Sequence, residues 1–167
     1  GTSIVFSLNH RERVEKLVLL DSTGIPNPLP FRSKIFRLSG IAEFLFSLPT
    51  DRLRHKNLAD IWVHNRDLLS DGYYQEFTRS QKIQGSTEAL LSILRKDFFN
   101  TLSAEIRALG QLNVPTLLIW GREDQLLPPR RAEEKQRLLP GSRLEILDEA
   151  GHLAYFDRPE IFNQLVI

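Results

Sequence analysis

Val114-Pro115-Thr116-Leu117-Leu118-Ile119-Trp120-Gly121-Arg122-Glu123-Asp124 is the stretch from which the rest of the chain hangs. A short apolar run opened by proline and closed by glycine predicts a strand over 114–120, buried on both faces, with Gly121 turning the chain out at its carboxyl end. Asp124 falls just past that end. In open α/β sheets this rim is where ligands bind and reacting groups collect. Downstream, Arg143 to Asp148 reads as another strand, and Glu149-Ala150-Gly151-His152 sets a histidine on the loop after it. An acid and a histidine on the loops after neighbouring parallel strands can meet. The acid would then orient the imidazole, fix its tautomer and stabilise its charged form during proton transfer.

Working outward, Lys16 to Asp21 reads as a third strand around Leu17-Val18-Leu19-Leu20, preceded by a helix over 2–9. Helices are expected near Arg130 to Leu139 and from Pro159 to the end, so strands alternate with helices as in a parallel sheet with crossovers. Asp157-Arg158-Pro159-Glu160 reads as a capping box for the closing helix, a structural role that leaves Asp157 and Glu160 outside the chemistry. Between the first and second strands lie about ninety residues, far more than a crossover needs. Pro26, Pro28 and Pro30 give a stiff exit from the sheet. Helical patterns follow over 35–48, 57–69, 70–83, 87–94 and 103–109, with breaks at Pro49, Asp71-Gly72 and Gly85-Ser86.

Trp120-Gly121-Arg122-Glu123-Asp124 with Pro128, and Ala150-Gly151-His152 with Pro159-Glu160, resemble the α/β-hydrolase superfamily, whose triad runs nucleophile, acid, histidine along the chain. His10-Arg11-Glu12-Arg13-Val14 is similar to a His-Pro-Glu-Arg-Val stretch common in that family, with arginine in place of proline. The resemblance implies the C-terminal part of an α/β-hydrolase fold. Residues 1–24 and 113–167 would be a partial core of parallel strands with crossover helices, and residues 25–112 an inserted all-helical cap over the active site. It further implies Asp124 as orienting acid and His152 as general base, with the nucleophile, a serine, aspartate or cysteine, in a Gly-x-Ser-x-Gly type of elbow roughly two or three residues before Gly1. The implied function is an esterase-like hydrolase of a small acyl substrate that needs no cofactor and no metal, and whose partner is the missing N-terminal half of the same fold. A hydrolase-like receptor, or one half of a split enzyme, is the alternative reading.

Bulk composition bounds these expectations. The 167 residues suffice for one domain with a real core, and a net charge of +1 without basic stripes argues against a nucleic-acid surface. No run of about 18 apolar residues offers a membrane span, and without a leader-like stretch the expected compartment is the cytoplasm. There is no cysteine, which excludes disulfides and thiolate metal sites. The absence of methionine, with a last helix that stops uncapped at Leu165-Val166-Ile167, suggests a piece of a longer chain.

Each candidate has a plainer reading beside it. Asp124 is also a natural turn former, and a lone histidine such as His152 is more commonly a satisfied structural group. The shared strand-end setting favours chemistry for both. Asp21, after the first strand, is the alternative acid, because some relatives of the family carry it there. Ser3 is excluded as nucleophile: position 5 is valine where the elbow needs glycine. Glu123 is expected to face solvent, His55 to sit on a solvated basic face from Arg52 to Lys56, and His64 on a helix. No histidine pair has the i, i+4 spacing of a zinc site. Phe31, Phe36, Phe44, Phe46, Phe77, Phe98 and Phe99 favour an apolar small-molecule substrate, with Leu126 and Leu153 expected to line its pocket.

Overall fold

The computed structural model describes residues 1–26, 35–48, 51–96 and 101–167. Three parallel strands, β1 (Leu17–Leu20), β2 (Thr116–Gly121) and β3 (Arg143–Leu147), form one sheet in the order β1-β2-β3. Leu17 pairs with Thr116 and Leu20 with Ile119, while Leu117 pairs with Arg143 and Gly121 with Leu147. This register brings Asp21, Gly121 and Leu147 out at one rim. β2 is the central strand, which is why its sequence is a continuous apolar run: Leu118, Ile119 and Trp120 are fully buried.

Helices cover both faces. On one side, α1 (Thr2–Asn9) and α6 (Ser103–Gln111) contribute Ile4, Ile106 and Leu109 to a core with Leu17, Leu19 and Leu118. On the other, Ile119 and Leu147 meet Ala154 of α8 (Ala154–Asp157) and Phe162 and Leu165 of α9 (Pro159–Val166). The alternation of Leu118 and Ile119 between these clusters is the two-residue strand period realised. Helix α7 (Arg130–Leu138) lays Ala132 against Trp120, whose indole N–H donates to the Leu127 carbonyl at 2.7 Å.

Between β1 and α6 lie α2 (Ile41–Ser47), α3 (Asp51–Asn57), α4 (Asp71–Arg79) and α5 (Ser86–Arg95). The expected breaks are only partly those observed. Gly85, at φ +89°, does precede α5, but Asp71-Gly72 forms the first turn of α4, because Ser70 caps it by accepting the Tyr73 amide at 3.4 Å. The expected helix over 57–69 is instead three pieces: the end of α3, a π-helical turn at Leu58–Trp62 and a short 3-10 turn at Arg66–Leu68. The basic run Arg52 to Lys56 lies within α3. There His55 is half-buried and stacks on Tyr74 with centroids 4.0 Å apart, so it is not on a solvated face. His64 follows the π-helical turn and is not helical. Pro28, Pro30, Phe31, Pro49, Phe98 and Phe99 lie outside the described residues.

The closing helix also differs from expectation. Asp157 ends α8, and the N-cap of α9 is Arg158. The Asp157 carboxylate is buried and accepts amides from Gly151, His64 and Asn65 instead of capping. Several converging N–H groups outcompete the single bond that a cap offers.

Candidate active site

The ends of β2 and β3 are stitched together by backbone. Arg122 donates to the Leu147 carbonyl and Glu123 to the Ala150 carbonyl, each at 2.9 Å, and the Glu123 carboxylate accepts the Ala150 amide at 3.0 Å. Glu123 is thus half-buried and tied to the next loop, where solvent exposure had been expected. At Gly121 the carbonyls of Ala150 and Gly151 occupy the space a Cβ would need, so only glycine lets the two strand ends approach this closely.

This stitching brings Asp124 and His152 together. The imidazole Nδ1 lies 2.8 Å from Asp124 Oδ2, and the carboxylate side chain is fully enclosed. Oδ1 of the same carboxylate accepts the amides of Leu126 and Leu127, each at 2.8 Å. Asp124 is therefore a turn former and a partner of the imidazole at once, and the turn aims the second oxygen. Because a carboxylate only accepts, Nδ1 carries the hydrogen and the lone pair is left on Nε2, the arrangement a general base requires.

Asp21 stands beside this pair. One ligand atom from each of Asp21, Asp124 and His152 falls within 4.8 Å of the others. Asp21 is buried, with a backbone φ of +38°, rare for a residue carrying a side chain. Its Oδ1 accepts the Gly121 amide at 3.0 Å and its Oδ2 has no hydrogen-bond partner among the described residues. Burial, reinforced by the negative charges of Asp124 and Asp157, pushes its carboxyl up to about 8, against the opposing pull of the Gly121 and Ala154 amides. The cluster has the donor types of a divalent-cation site. However, both Asp124 oxygens are already engaged, so a cation would have to break the bond to His152. A proton on Asp21 resolves the buried charge without that cost.

Three further residues were not expected near the pair. The rings of Trp62 and His152 meet in a T-shaped contact, with centroids 5.0 Å apart and planes at 76°. Asp157 has been described above. Lys135 is fully buried, and its Nζ donates to the Ser22 carbonyl, to Ser22 Oγ at 2.6 Å and to the Thr23 carbonyl at 2.8 Å, beside the Trp120 ring face. Burial pushes this amine down to about 7, while the three oxygens and the ring favour the charged form. Lys135 was readable in principle: with Ala132 and Leu139 it falls on one helical stripe, where a lysine must bury its amine. Nothing local marks Trp62.

A cavity of about 670 Å³ has in its wall Trp62, which stands against the His152 ring, and Leu153, the residue after His152, while Asp124 and His152 themselves do not line it. Its lining is largely apolar, with Phe46, Leu58, Ile61, Trp62, Phe77 and Leu153 among it, and also includes polar side chains such as Arg54, Asn57 and Gln81. Leu153 lines this cavity; Leu126 does not and is 41% exposed. Among the phenylalanines, Phe46 and Phe77 face the cavity, Phe36 packs edge-on against Phe46, and Phe44 faces solvent. Among the described residues no helix is long and apolar enough to cross a membrane.

Comparison with known proteins gives a consistent picture. The sequence model of a family described as alpha/beta hydrolase fold matches residues 1–159. The chain is 30% identical to 2-hydroxy-6-oxononadienedioate/2-hydroxy-6-oxononatrienedioate hydrolase 1 of Pseudomonas putida, over 99% of this chain and 58% of that protein. It is 26% identical to 2-hydroxymuconate semialdehyde hydrolase of the same organism, over 99% and 57%. The chain thus spans somewhat more than half the length of these relatives. Among solved structures, a meta-cleavage product hydrolase from Pseudomonas fluorescens IP01 superposes with a TM-score of 0.74 at 24% identity, over 98% of this chain and 58% of that one.

Proposed function

This chain belongs to the alpha/beta hydrolase fold family, and from that premise we propose that it carries the acid and the base of a nucleophile-His-Asp hydrolase, with residues 25–112 as a helical cap over the site. In this reading the nucleophile lies upstream of Gly1, in the N-terminal half of the same fold. It attacks a carbonyl carbon, His152 takes its proton and later gives it to the leaving group, and Asp124 holds the imidazole. Asp124 rather than Asp21 is assigned the orienting role. The single observation carrying this is the 2.8 Å contact from His152 Nδ1 to an Asp124 oxygen already aimed by two amides.

The substrate class follows from the cavity and the relatives together. Apolar walls of Phe46, Ile61, Trp62, Phe77 and Leu153, with Arg54, Asn57 and Gln81 also in the lining and Arg54 paired to Asp51, suit a mainly apolar body that carries a polar or anionic group. The compounds named for the relatives are oxo acids. Hydrolysis at a ketone cuts a carbon-carbon bond, and the same three groups serve that reaction and ester cleavage alike. We therefore place an unsaturated oxo acid ahead of a simple ester as substrate. Chain alone, without a nucleophile, is expected to be inactive.

The test is to read and express the polypeptide that continues upstream of Gly1. An elbow in frame, with turnover of an oxo-dienoate exceeding that of activated esters and lost in His152→Ala, is the expected result. An elbow with ester turnover alone would reverse the substrate order. No elbow would leave a receptor or a split enzyme, and unchanged turnover in His152→Ala would remove that residue from the chemistry.

A further inference from the structure

We propose that Asp157 is a positioning residue for His152: its carboxylate clasps the segment 62–65 to the loop 151–153, so that the cavity wall and the imidazole move as one body. The proposal builds on the reading of His152 as the proton-transferring group.

The geometry converges from three directions. Asp157 is only 5% exposed, and Oδ2 accepts the Gly151 amide at 2.8 Å and the His64 amide at 3.0 Å, while Oδ1 accepts the Asn65 amide at 2.8 Å. A fourth bond closes the junction, from the Leu153 amide to the Trp62 carbonyl at 2.9 Å. A Cβ on Gly151 would lie 3.0 Å from the His64 nitrogen and 3.1 Å from the Trp62 oxygen, so the two backbones touch with nothing between them. His152 sits between the two residues of its own loop that are bonded across this seam, and Trp62 stands against its ring.

The same seam borders the cavity. Trp62 and Leu153 both line it, and Leu153 also packs with Leu58, Val63 and Phe77 in one apolar cluster. Whatever shifts Trp62 must carry the His152 loop with it as long as the clasp holds. A carboxylate is the side chain for this task, because it offers acceptors alone. Asparagine, its isostere, would turn an NH₂ towards one of the donors.

The test uses the full chain, isotope-labelled, with Asp157→Asn and Gly151→Ala, which attack the seam from opposite sides. Proton spectra of the wild type are expected to show a protected Hδ1 on His152. Both variants should lose it to solvent exchange and displace the Trp62 indole resonance, while the Trp120 indole resonance, held by Leu127, stays in place as the sign of an intact fold. Asp157→Glu should recover part of the Hδ1 signal. Survival of that signal in both variants with Trp120 unmoved would overturn the proposal. If Asp157→Asn also disturbs Trp120, the decision rests on Gly151→Ala and on wild-type amide exchange. There His64, Asn65, Gly151 and Leu153 should open at one common rate, and separate rates for the two segments would equally overturn it. Activity of His152→Ala in the longer polypeptide tests the catalytic reading independently, so either can fail alone.

Discussion

The carboxylate of Asp21 reaches across the sheet rim to accept the Gly121 amide at 3.0 Å, from a backbone held at φ +38°, and leaves its other oxygen buried and, among the described residues, unpaired. A side chain placed at such cost beside Asp124 and His152 makes the rim sensitive to protons. Its titration gives the first prediction.

Burial holds the Asp21 carboxyl at about 8 in the folded chain, against an ordinary value of 3.8. Between those values the folded state keeps a proton that the unfolded state has released. The stabilisation is therefore full below about pH 4 and is lost as pH rises through about 8. Asp21→Asn stays neutral and keeps an acceptor for Gly121. Denaturant unfolding is expected to show the variant gaining on the wild type by a few kcal/mol between about pH 5 and pH 9. Parallel stability curves would sink this assignment.

Gly121→Ala should be among the most damaging single changes in the chain. The added methyl meets the Ala150 and Gly151 carbonyls, which belong to the strand-end stitching and cannot swing aside as a flexible side chain could. A loss of about 3 kcal/mol is expected, together with separation of Asp124 from His152. Thermal unfolding measures the first and the His152 Hδ1 resonance the second. A variant as stable as wild type would mean that the two loops are not in contact.

Lys135→Met replaces a buried amine with a side chain of similar length. It strands the Ser22 and Thr23 carbonyls and Ser22 Oγ without their donor. Unsatisfied buried acceptors of this kind cost about 1–3 kcal/mol each at most, so a net loss of about 2 kcal/mol is expected after the gain from removing the amine. Urea titration decides the matter. A stabilised variant would show that the amine's desolvation outweighs its three bonds.

Asp124→Asn, made in the longer polypeptide, separates the two roles of this residue. Asparagine can still accept the Leu126 and Leu127 amides, so the turn and the stability should change little. Its NH₂ would face Nδ1 and force the hydrogen onto Nε2, the wrong tautomer for a base. A fall in kcat of about 10⁴-fold with KM nearly unchanged is expected from steady-state kinetics. A fall below about tenfold would point to another acid, with Asp21 the nearest.

Much of this was readable from residue order. The central strand declared itself as Leu117-Leu118-Ile119-Trp120 between proline and glycine, because a strand buried on both faces must be apolar throughout. Asp124 and His152 were readable as strand-end residues, since one period and one glycine fix where a strand stops. Glu123, Asp157 and His55 were misjudged for a common reason. Each has a polar side chain whose destination depends on atoms far along the sequence: Ala150 for Glu123, His64 and Asn65 for Asp157, Tyr74 for His55. Helical patterning between β1 and β2 was right in kind and at Gly85, but not at Asp71-Gly72 or over 57–69, because Ser70 and the apolar contacts of Leu58 and Val63 override local preference.

Sequence by itself determined the class of fold and the pair at its rim, because hydrophobic period and turn residues act over a few positions. Tertiary structure alone decided that Asp21 joins that pair, that Trp62 faces His152 and that Asp157 binds two distant segments. Those relations arise when chain ends separated by scores of residues must share one buried space, and only packing assigns each hydrogen-bond donor there to its acceptor.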